Sequence, residues 1–247
     1  VSKNLIEVTN LEKYFEISSG MFGRNKATVK AVDGISFSIP FGESLGLVGQ
    51  SGCGKTTTAR ALSLLDPKTN GDVNFYNQET KSMQSIDDLD DIELKKFRRN
   101  IQMIFQDPYE SLNPRWTIKD IILEPLNIHN IGELKDREEA VVEILKTVGL
   151  TPPENYLPRY PHELSGGQRQ RVSIARTLIM KPKFVICDEP TSMLDVSIRI
   201  SIMDLMLNLA KDLEVSYLYI THDLAVARYM CNRIAVMFKS KDQRMMR

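Results

Sequence analysis

The spacing of apolar residues along the chain begins with an alternating pattern. Residues 5–8 (LIEV) and 29–39 (VKAVDGISFSI) alternate apolar with polar side chains, which is the period of strands that bury one face. Between them, residues 18–25 (SSGMFGRN) contain two glycines and indicate a hairpin-like loop. The first forty residues therefore predict antiparallel β-structure at the start of the chain.

Short continuous apolar runs follow, each in front of a helical stretch. SLGLVG (44–49) precedes TTTARALSLL, KFVICD (183–188) precedes a helix near 197–213, and VSYLYI (215–220) precedes a short helix and then RIAVMF. Buried strands that alternate with helices are typical of a parallel sheet. These runs predict an α/β core with a mainly parallel sheet.

The middle of the chain shows a helical period instead. In REEAVVEILKTVGL the apolar residues Val141, Val142, Leu145 and Val148 fall on one helical face, and Gly149 indicates the helix end. We therefore predict a helical insertion at 92–180 within a core formed by 1–91 and 181–247.

Composition excludes some classes of protein. The 32 Lys and Arg residues balance 32 Asp and Glu residues, so no overall field attracts nucleic acid or anionic lipid. Three scattered cysteines favour reduced thiols over a disulfide framework. No apolar run approaches the roughly 20 residues of a membrane helix, so we do not expect the chain to cross a membrane.

Residues 49–57 (GQSGCGKTT) match the phosphate-loop pattern G-x-x-x-x-G-K-[ST] between a strand and a helix. Backbone N–H groups and the helix start favour phosphate, the Lys55 ammonium suits β- and γ-phosphate oxygens, and the Thr56 hydroxyl suits Mg²⁺. We expect the Cys53 thiol to be inert. The predicted ATP-binding residues of this loop are Gly49, Ser51, Gly52, Cys53, Gly54, Lys55, Thr56 and Thr57.

Two acidic residues end the apolar strand of KFVICDEP. Asp188 is placed to hold Mg²⁺, and Glu189 is the candidate general base for attack on the γ-phosphate. The alternative for such a pair is a solvated turn. Gln106, after IQMIF, is a candidate to orient water or complete the Mg²⁺ shell, and His222, after YLYI, is a candidate to contact the γ-phosphate. A histidine after a strand is more often a structural hydrogen-bonding residue, so this role depends on strand ends sharing one edge.

A second glycine pair lies in HELSGGQRQR (162–171), and the amphipathic VSIARTLIM indicates a helix that starts just after the glycines. A serine and two glycines at a helix N-terminus form an anion site. This second site lacks a lysine and an acid of its own.

Six motifs in order resemble the nucleotide-binding subunit of an ABC transporter: GQSGCGKT, FQDP (105–108), LSGGQ (164–168), ICDEP (186–190), SMLD (192–195) and ITHD (220–223). The resemblance implies an α/β P-loop NTPase of the RecA-like type, with an N-terminal antiparallel part and a helical subdomain that includes LSGGQ. It further implies head-to-tail dimers in which LSGGQ covers the γ-phosphate bound by the other subunit.

The resemblance also assigns residues. Ser165, Gly166, Gly167 and Gln168 form the signature that acts in trans. Asp195 would link the two sites of the dimer, and Gln106 and His222 would sense the γ-phosphate. Phe15 of LEKYF would stack on adenine, with Tyr14 as second candidate.

Residues 102–126, RYPHELSGGQRQRVSIAR and DEPTSMLDVSI are similar to the oligopeptide/dipeptide importer branch. This similarity implies an ATPase that uses ATP and Mg²⁺ and lies in the cytoplasm on the inner face of the membrane. Its implied partners are a second ATPase subunit, transmembrane permease subunits that dock around Pro108 to Pro114 and, indirectly, an external solute-binding protein. Nickel or sugar import is the alternative. An ABC ATPase that acts on nucleic acid or ribosomes is disfavoured by the zero net charge.

Overall fold

The computed structural model describes residues 3–19 and 25–239. The chain divides into two compact units, Val1–Leu94 with Leu218–Arg247, and Lys95–Tyr217. Helix α2 (Asp91–Asn100) and strand β8 (Ser216–Thr221) each contain a point of division.

The first unit contains the predicted antiparallel sheet, with strand order β2-β1-β4-β5. Its strands are β1 (Asn4–Ser19), β2 (Asn25–Pro40), β4 (Asn70–Asn77) and β5 (Ser82–Ser85). Ile6 pairs with Ile39 on one side and Phe75 on the other, and all three are buried. Residues 20–24 of the predicted loop lie outside the described residues.

A parallel pair in the same unit carries the phosphate loop. Strand β3 (Ser44–Gly49) is buried up to Val48 and pairs in parallel with β9 (Arg233–Met237). Such continuous burial is typical of parallel strands. The helices of this unit are α1 (Lys55–Leu62) and α8 (Leu224–Met230).

The second unit holds a further parallel pair, β6 (Ile101–Ile104) with β7 (Phe184–Asp188). Its helices are α3 (Pro108–Ser111), α4 (Ile118–Ile128), α5 (Leu134–Thr147), α6 (Gly166–Leu178) and α7 (Val196–Asp212). Three of the four apolar residues predicted for the buried face of α5, Val141, Leu145 and Val148, are fully buried. The left-handed Gly149, at φ +76°, follows the helix as its sequence pattern indicates.

The compact units and the predicted domains divide the chain differently. The second unit begins near the predicted start of the helical insertion, but it continues through β7 and α7 to residue 217. The predicted division into an ATP-binding core (1–91, 181–247) and a helical subdomain (92–180) stays a prediction.

Within residues 3–19 and 25–239, no helix has both the length and the apolar character needed to span a bilayer. The three cysteines, all among the described residues, are thiols rather than disulfides, and Cys53 and Cys187 are buried.

Candidate nucleotide site

The phosphate loop connects the end of β3 to the start of α1. Its lysine lies back over the loop, because the Lys55 Nζ donates to the carbonyl oxygens of Gly49 at 2.8 Å and Gln50 at 3.1 Å. Lys55 is only 5% exposed. The ammonium is thus held at the loop itself, where a bound phosphate chain would compete with the carbonyls for it.

Gly54 sets the shape of this loop. Its φ of +102° is a conformation that other residues rarely adopt, and a Cβ there would lie 2.2 Å from the carbonyl oxygen of Ala31. Both the backbone angle and the close approach therefore require glycine immediately before Lys55.

The other loop residues differ in exposure. Cys53 is buried, and its amide donates to the Gln50 carbonyl within the loop, whereas Ser51, Gly52 and Thr56 are exposed. A buried thiol agrees with the expectation that Cys53 is inert.

The two candidate aromatic residues on β1 have different partners. The Tyr14 hydroxyl donates to Asp33 at 2.5 Å, which raises the pKa of Tyr14, and Lys30 lies over its ring. Phe15 is 40% exposed and has the Lys13 ammonium 4.7 Å from its ring centroid. The Tyr14 side chain is thus engaged with β2, which leaves Phe15 as the predicted adenine platform.

Strands β6 and β7 bring three candidate residues to one edge within the second unit. Ile104 pairs with Cys187 in the parallel register, so Gln106, Asp188 and Glu189 all follow strand ends at the same edge. Asp188 is buried at 4% exposure, Glu189 is half-buried and Gln106 is exposed. This arrangement disfavours the solvated-turn alternative for Asp188.

Glu189 has an unusual backbone. Its φ is +45°, in the left-handed region, and its carbonyl accepts hydrogen bonds from both the amide and the hydroxyl of Ser192. Left-handed non-glycine residues cost free energy and cluster at functional sites. The turn from Glu189 to Ser192 therefore fixes the backbone position from which the Glu189 side chain extends.

The signature loop, residues 164–168, forms a capping box. The Ser165 hydroxyl accepts from the Gln168 amide at 3.3 Å, and the Gln168 side chain accepts from the Ser165 amide at 2.9 Å. As a result α6 begins at Gly166, and the prediction of a helix that starts after both glycines is wrong. The Ser-x-x-Gln spacing is itself a sequence signal for this earlier start.

The start of α6 packs against the segment that contains Asp195. A Cβ on Gly167 would lie 2.6 Å from Ile198 Cγ2, and one on Gly166 would lie 3.5 Å from Leu194 Cδ2. Asp195 is exposed at the N-cap of α7. The second unit thus brings the signature loop and the Asp195 loop together.

His222 lies in the first unit directly after β8 and is exposed. The next residue, Asp223, caps α8 by accepting from the amides of Ala225 and Val226. The exposed ring at a capped turn is compatible with the predicted contact to the γ-phosphate, which stays a prediction.

Sequence reasoning missed two arginines beside the signature. Arg169 donates to the carbonyl of Pro161, and Arg171 donates to the carbonyl of Val148 and to the Ser201 hydroxyl at 2.8 Å. Their charges in QRQR are visible in the sequence, but no spacing rule connects them with these partners.

Known proteins are similar to this chain in sequence and in fold. The family model described as "ABC transporter" matches residues 32–192. The oligopeptide transport ATP-binding protein AppF of Bacillus subtilis (strain 168) is 47% identical over 97% of this chain and 70% of its own length. The oligopeptide transport ATP-binding protein OppF of the same organism is 46% identical over 98% of this chain and 75% of its own. A solved dimeric ATP-binding cassette, bound to ADP and Pi in a post-hydrolysis state, is 31% identical with a TM-score of 0.77, and covers 94% of each chain.

The chain belongs to the ABC transporter family. The predicted fold class, an α/β P-loop NTPase with parallel and antiparallel sheets, is confirmed, as is the predicted class of ABC-type ATPase related to the oligopeptide branch.

Proposed function

We propose that this chain binds and hydrolyses ATP as the ATPase subunit of an importer for oligopeptides or dipeptides. The observation that carries the proposal is the similarity to oligopeptide transport ATP-binding proteins along 97% and 98% of the chain. The family accounts for the ATPase, and these relatives support peptides as the substrate class.

In this proposal the first unit binds the nucleotide. Loop amides and the N-terminus of α1 hold the phosphates, Lys55 exchanges its two carbonyl partners for phosphate oxygens, and Phe15 stacks on adenine. The constrained backbone at Gly54 supports this role, because a loop backbone that is already held in one conformation loses less entropy on binding.

The donor set fits Mg²⁺. A hydroxyl from Thr56, a carboxylate from Asp188 and an amide oxygen from Gln106 are the oxygen ligands that this hard cation prefers. When bound, the ion supplies positive charge to the β- and γ-phosphate oxygens. Glu189 orients the attacking water and accepts its proton, and His222 contacts the γ-phosphate.

We further propose that two subunits share each site. Ser165, Gly166, Gly167 and Gln168 present a helix N-terminus to the γ-phosphate of the other subunit, and Asp195 connects the two sites. Ser165 is exposed and Gly166 is half-buried, which supports this role because the helix N-terminus is open to an anion. This anion site has no lysine of its own, and the phosphate loop of the other subunit would supply one.

The partners in this proposal are a second ATPase subunit, permease subunits that dock around Pro108 to Pro114 at the inner face of the membrane, and indirectly a solute-binding protein. A homologous cassette was solved as a dimer, which supports the first of these. Nickel or sugar import would use the same nucleotide chemistry and is the second candidate.

Uptake in the native host tests the proposal. Cells that lack this gene should lose uptake of a labelled tripeptide, recover it with the wild-type gene, and fail to recover it with Lys55→Ala or Glu189→Gln. Labelled nickel and a labelled disaccharide are measured in parallel. Normal peptide uptake together with loss of either of the other solutes would reassign the substrate.

A further inference from the structure

Arg169 joins two segments that lie far apart in sequence. Its Nε donates to the carbonyl of Pro161, and an Nη donates to the carbonyl of His162 at 3.4 Å. On the other side, its guanidinium carbon lies 3.8 Å from the ring centroid of Tyr109. One side chain therefore connects α3 to the 3-10 turn Pro161–Glu163, which we call the pre-signature turn.

The guanidinium of Arg169 is buried, where desolvation of its charge costs free energy. Arg169 is 6% exposed, and in the part of the chain that the structure describes its hydrogen bonds go to carbonyl oxygens rather than to a carboxylate. Burial lowers the pKa of this side chain. An apolar residue would fill the same space without the cost of desolvating a charge, so the directional contacts of the guanidinium are what distinguish arginine here.

The Tyr109 end of this connection is exposed and locally rigid. Tyr109 is 61% exposed and lies three residues after Gln106. The Asp107 carboxylate accepts from the Tyr109 amide at 2.7 Å and caps α3. A partner that contacts this ring would act on a short, capped turn rather than on a loose loop.

The opposite end leads directly into the signature loop. Glu163 closes the pre-signature turn by accepting from the Tyr160 amide at 2.7 Å, and the Leu164 amide donates to the Pro161 carbonyl. Leu164 is buried, and Ser165 follows it. The two carbonyls that Arg169 holds therefore lie within four residues of Ser165 and are connected to it through the buried Leu164.

We propose that Arg169 is a positioning residue through which α3 sets the presentation of the signature loop to the nucleotide of the other subunit. The inference rests on the proposed sharing of sites between two subunits.

Mixed dimers of the full chain test this inference. Two copies with different affinity tags are co-expressed, and the mixed dimer is purified on both tags. One copy carries Lys55→Ala, so it supplies a signature loop, while the other supplies the phosphate loop. The rate of ATP hydrolysis of this reference dimer is compared with dimers that carry Tyr109→Ala in one copy or the other.

Tyr109→Ala in the signature-supplying copy should lower kcat by up to roughly tenfold, the factor that corresponds to losing a cation–π contact whose cation is buried and whose ring is partly exposed. In the copy that supplies the phosphate loop the change should stay below about twofold. Tyr109→Phe, which keeps the ring face, is the matched control and should resemble the reference dimer in either copy. Arg169→Lys in the signature-supplying copy should also lower kcat, and adding Tyr109→Ala to it should cause little further loss.

The outcomes separate the two proposals. Ser165→Arg placed in the signature-supplying copy should abolish hydrolysis by the reference dimer. Activity that persists in that variant would count against shared sites and thus against the proposed function. An active reference dimer in which Tyr109→Ala acts equally from both copies, or mainly from the copy that supplies the phosphate loop, would overturn the role of Arg169 and indicate an effect through Gln106. Equal losses for Tyr109→Phe and Tyr109→Ala would overturn it as well. Thermal melting of each variant checks folding, and Tyr109 is exposed enough for truncation to leave no buried cavity.

Discussion

The phosphate loop and the signature loop both place glycine at a helix N-terminus, but for different reasons. In the phosphate loop, Gly54 has a φ of +102° and no room for a Cβ beside the Ala31 carbonyl. In the signature loop, Gly166 and Gly167 are ordinary helical residues. The first loop needs glycine for its own backbone conformation, and the second does not.

Within the signature loop the two glycines also differ. A Cβ on Gly167 would lie 2.6 Å from a methyl carbon of Ile198, so packing inside the chain restricts this position. A Cβ on Gly166 would meet Leu194 at 3.5 Å, an ordinary van der Waals contact. The described part of the chain thus leaves room for a side chain at 166. A glycine there keeps the helix N-terminus open to a molecule that approaches from outside, as the proposed shared site needs.

The largest effect is expected at Gly54. Gly54→Ala should abolish nucleotide binding and lower the free energy of unfolding by about 3 kcal/mol, because strain at φ and a steric clash act together. Urea denaturation and titration with a fluorescent ATP analogue measure the two losses.

Gly52→Ala is the matched control in the same loop. Gly52 has a φ of +77°, but a Cβ there would meet nothing within 4 Å, so the cost should be about 1 kcal/mol from strain alone. If both variants were equally stable, the contact with Ala31 would not be what restricts position 54.

An intermediate effect is expected at Gly166, and on activity rather than on stability. Gly166→Ala should change the free energy of unfolding by less than about 0.5 kcal/mol. Its ATP hydrolysis should nevertheless fall by roughly tenfold or more, because the methyl group intrudes on the nucleotide of the other subunit. Denaturation and steady-state ATPase assays give the two numbers.

Gly167→Ala is the control in the same loop. It should lower the free energy of unfolding by about 1–2 kcal/mol, because the added methyl group overpacks against Ile198. Full ATPase activity in Gly166→Ala would contradict the idea that an external molecule requires this glycine.

The smallest effect is expected at the cap of α6. Ser165→Ala removes the hydroxyl that accepts from the Gln168 amide and should lower the free energy of unfolding by about 1 kcal/mol. Loss of one contact to phosphate should also weaken ATP-driven dimerisation roughly fivefold. Analytical ultracentrifugation with and without ATP measures the second effect.

Thr117→Ala is the matched control for a helix cap without a proposed ligand. Thr117 caps α4 by accepting from the Asp120 amide, so its loss should cost similar stability. Dimerisation should be unchanged in this variant. If both cap variants weakened dimerisation equally, the effect of Ser165 would be one of stability alone.

Several local features could be predicted from the sequence because neighbouring residues encode them. Helix α1 begins at Lys55 as the phosphate-loop pattern indicates, and α5 ends before the left-handed Gly149. The start of α6 is equally local, yet the predicted start after both glycines is wrong. The capping box of Ser165 and Gln168 outweighs the low helix propensity of glycine, so α6 begins at Gly166.

The sequence by itself determined the family, the fold class and the candidate residues, because strand-loop-helix motifs carry their backbone geometry in a few consecutive residues. Tertiary structure alone decided that Gln106 and Asp188 share a strand edge, that Ile198 restricts Gly167, and that Arg169 connects Tyr109 to the Pro161 carbonyl. Each of these contacts joins residues on different elements. All but the one between Arg169 and Pro161, where a side chain of α6 reaches the turn in front of it, also join residues at least thirty positions apart. Their geometry depends on the packing of whole helices and strands, and no local pattern of residues specifies it.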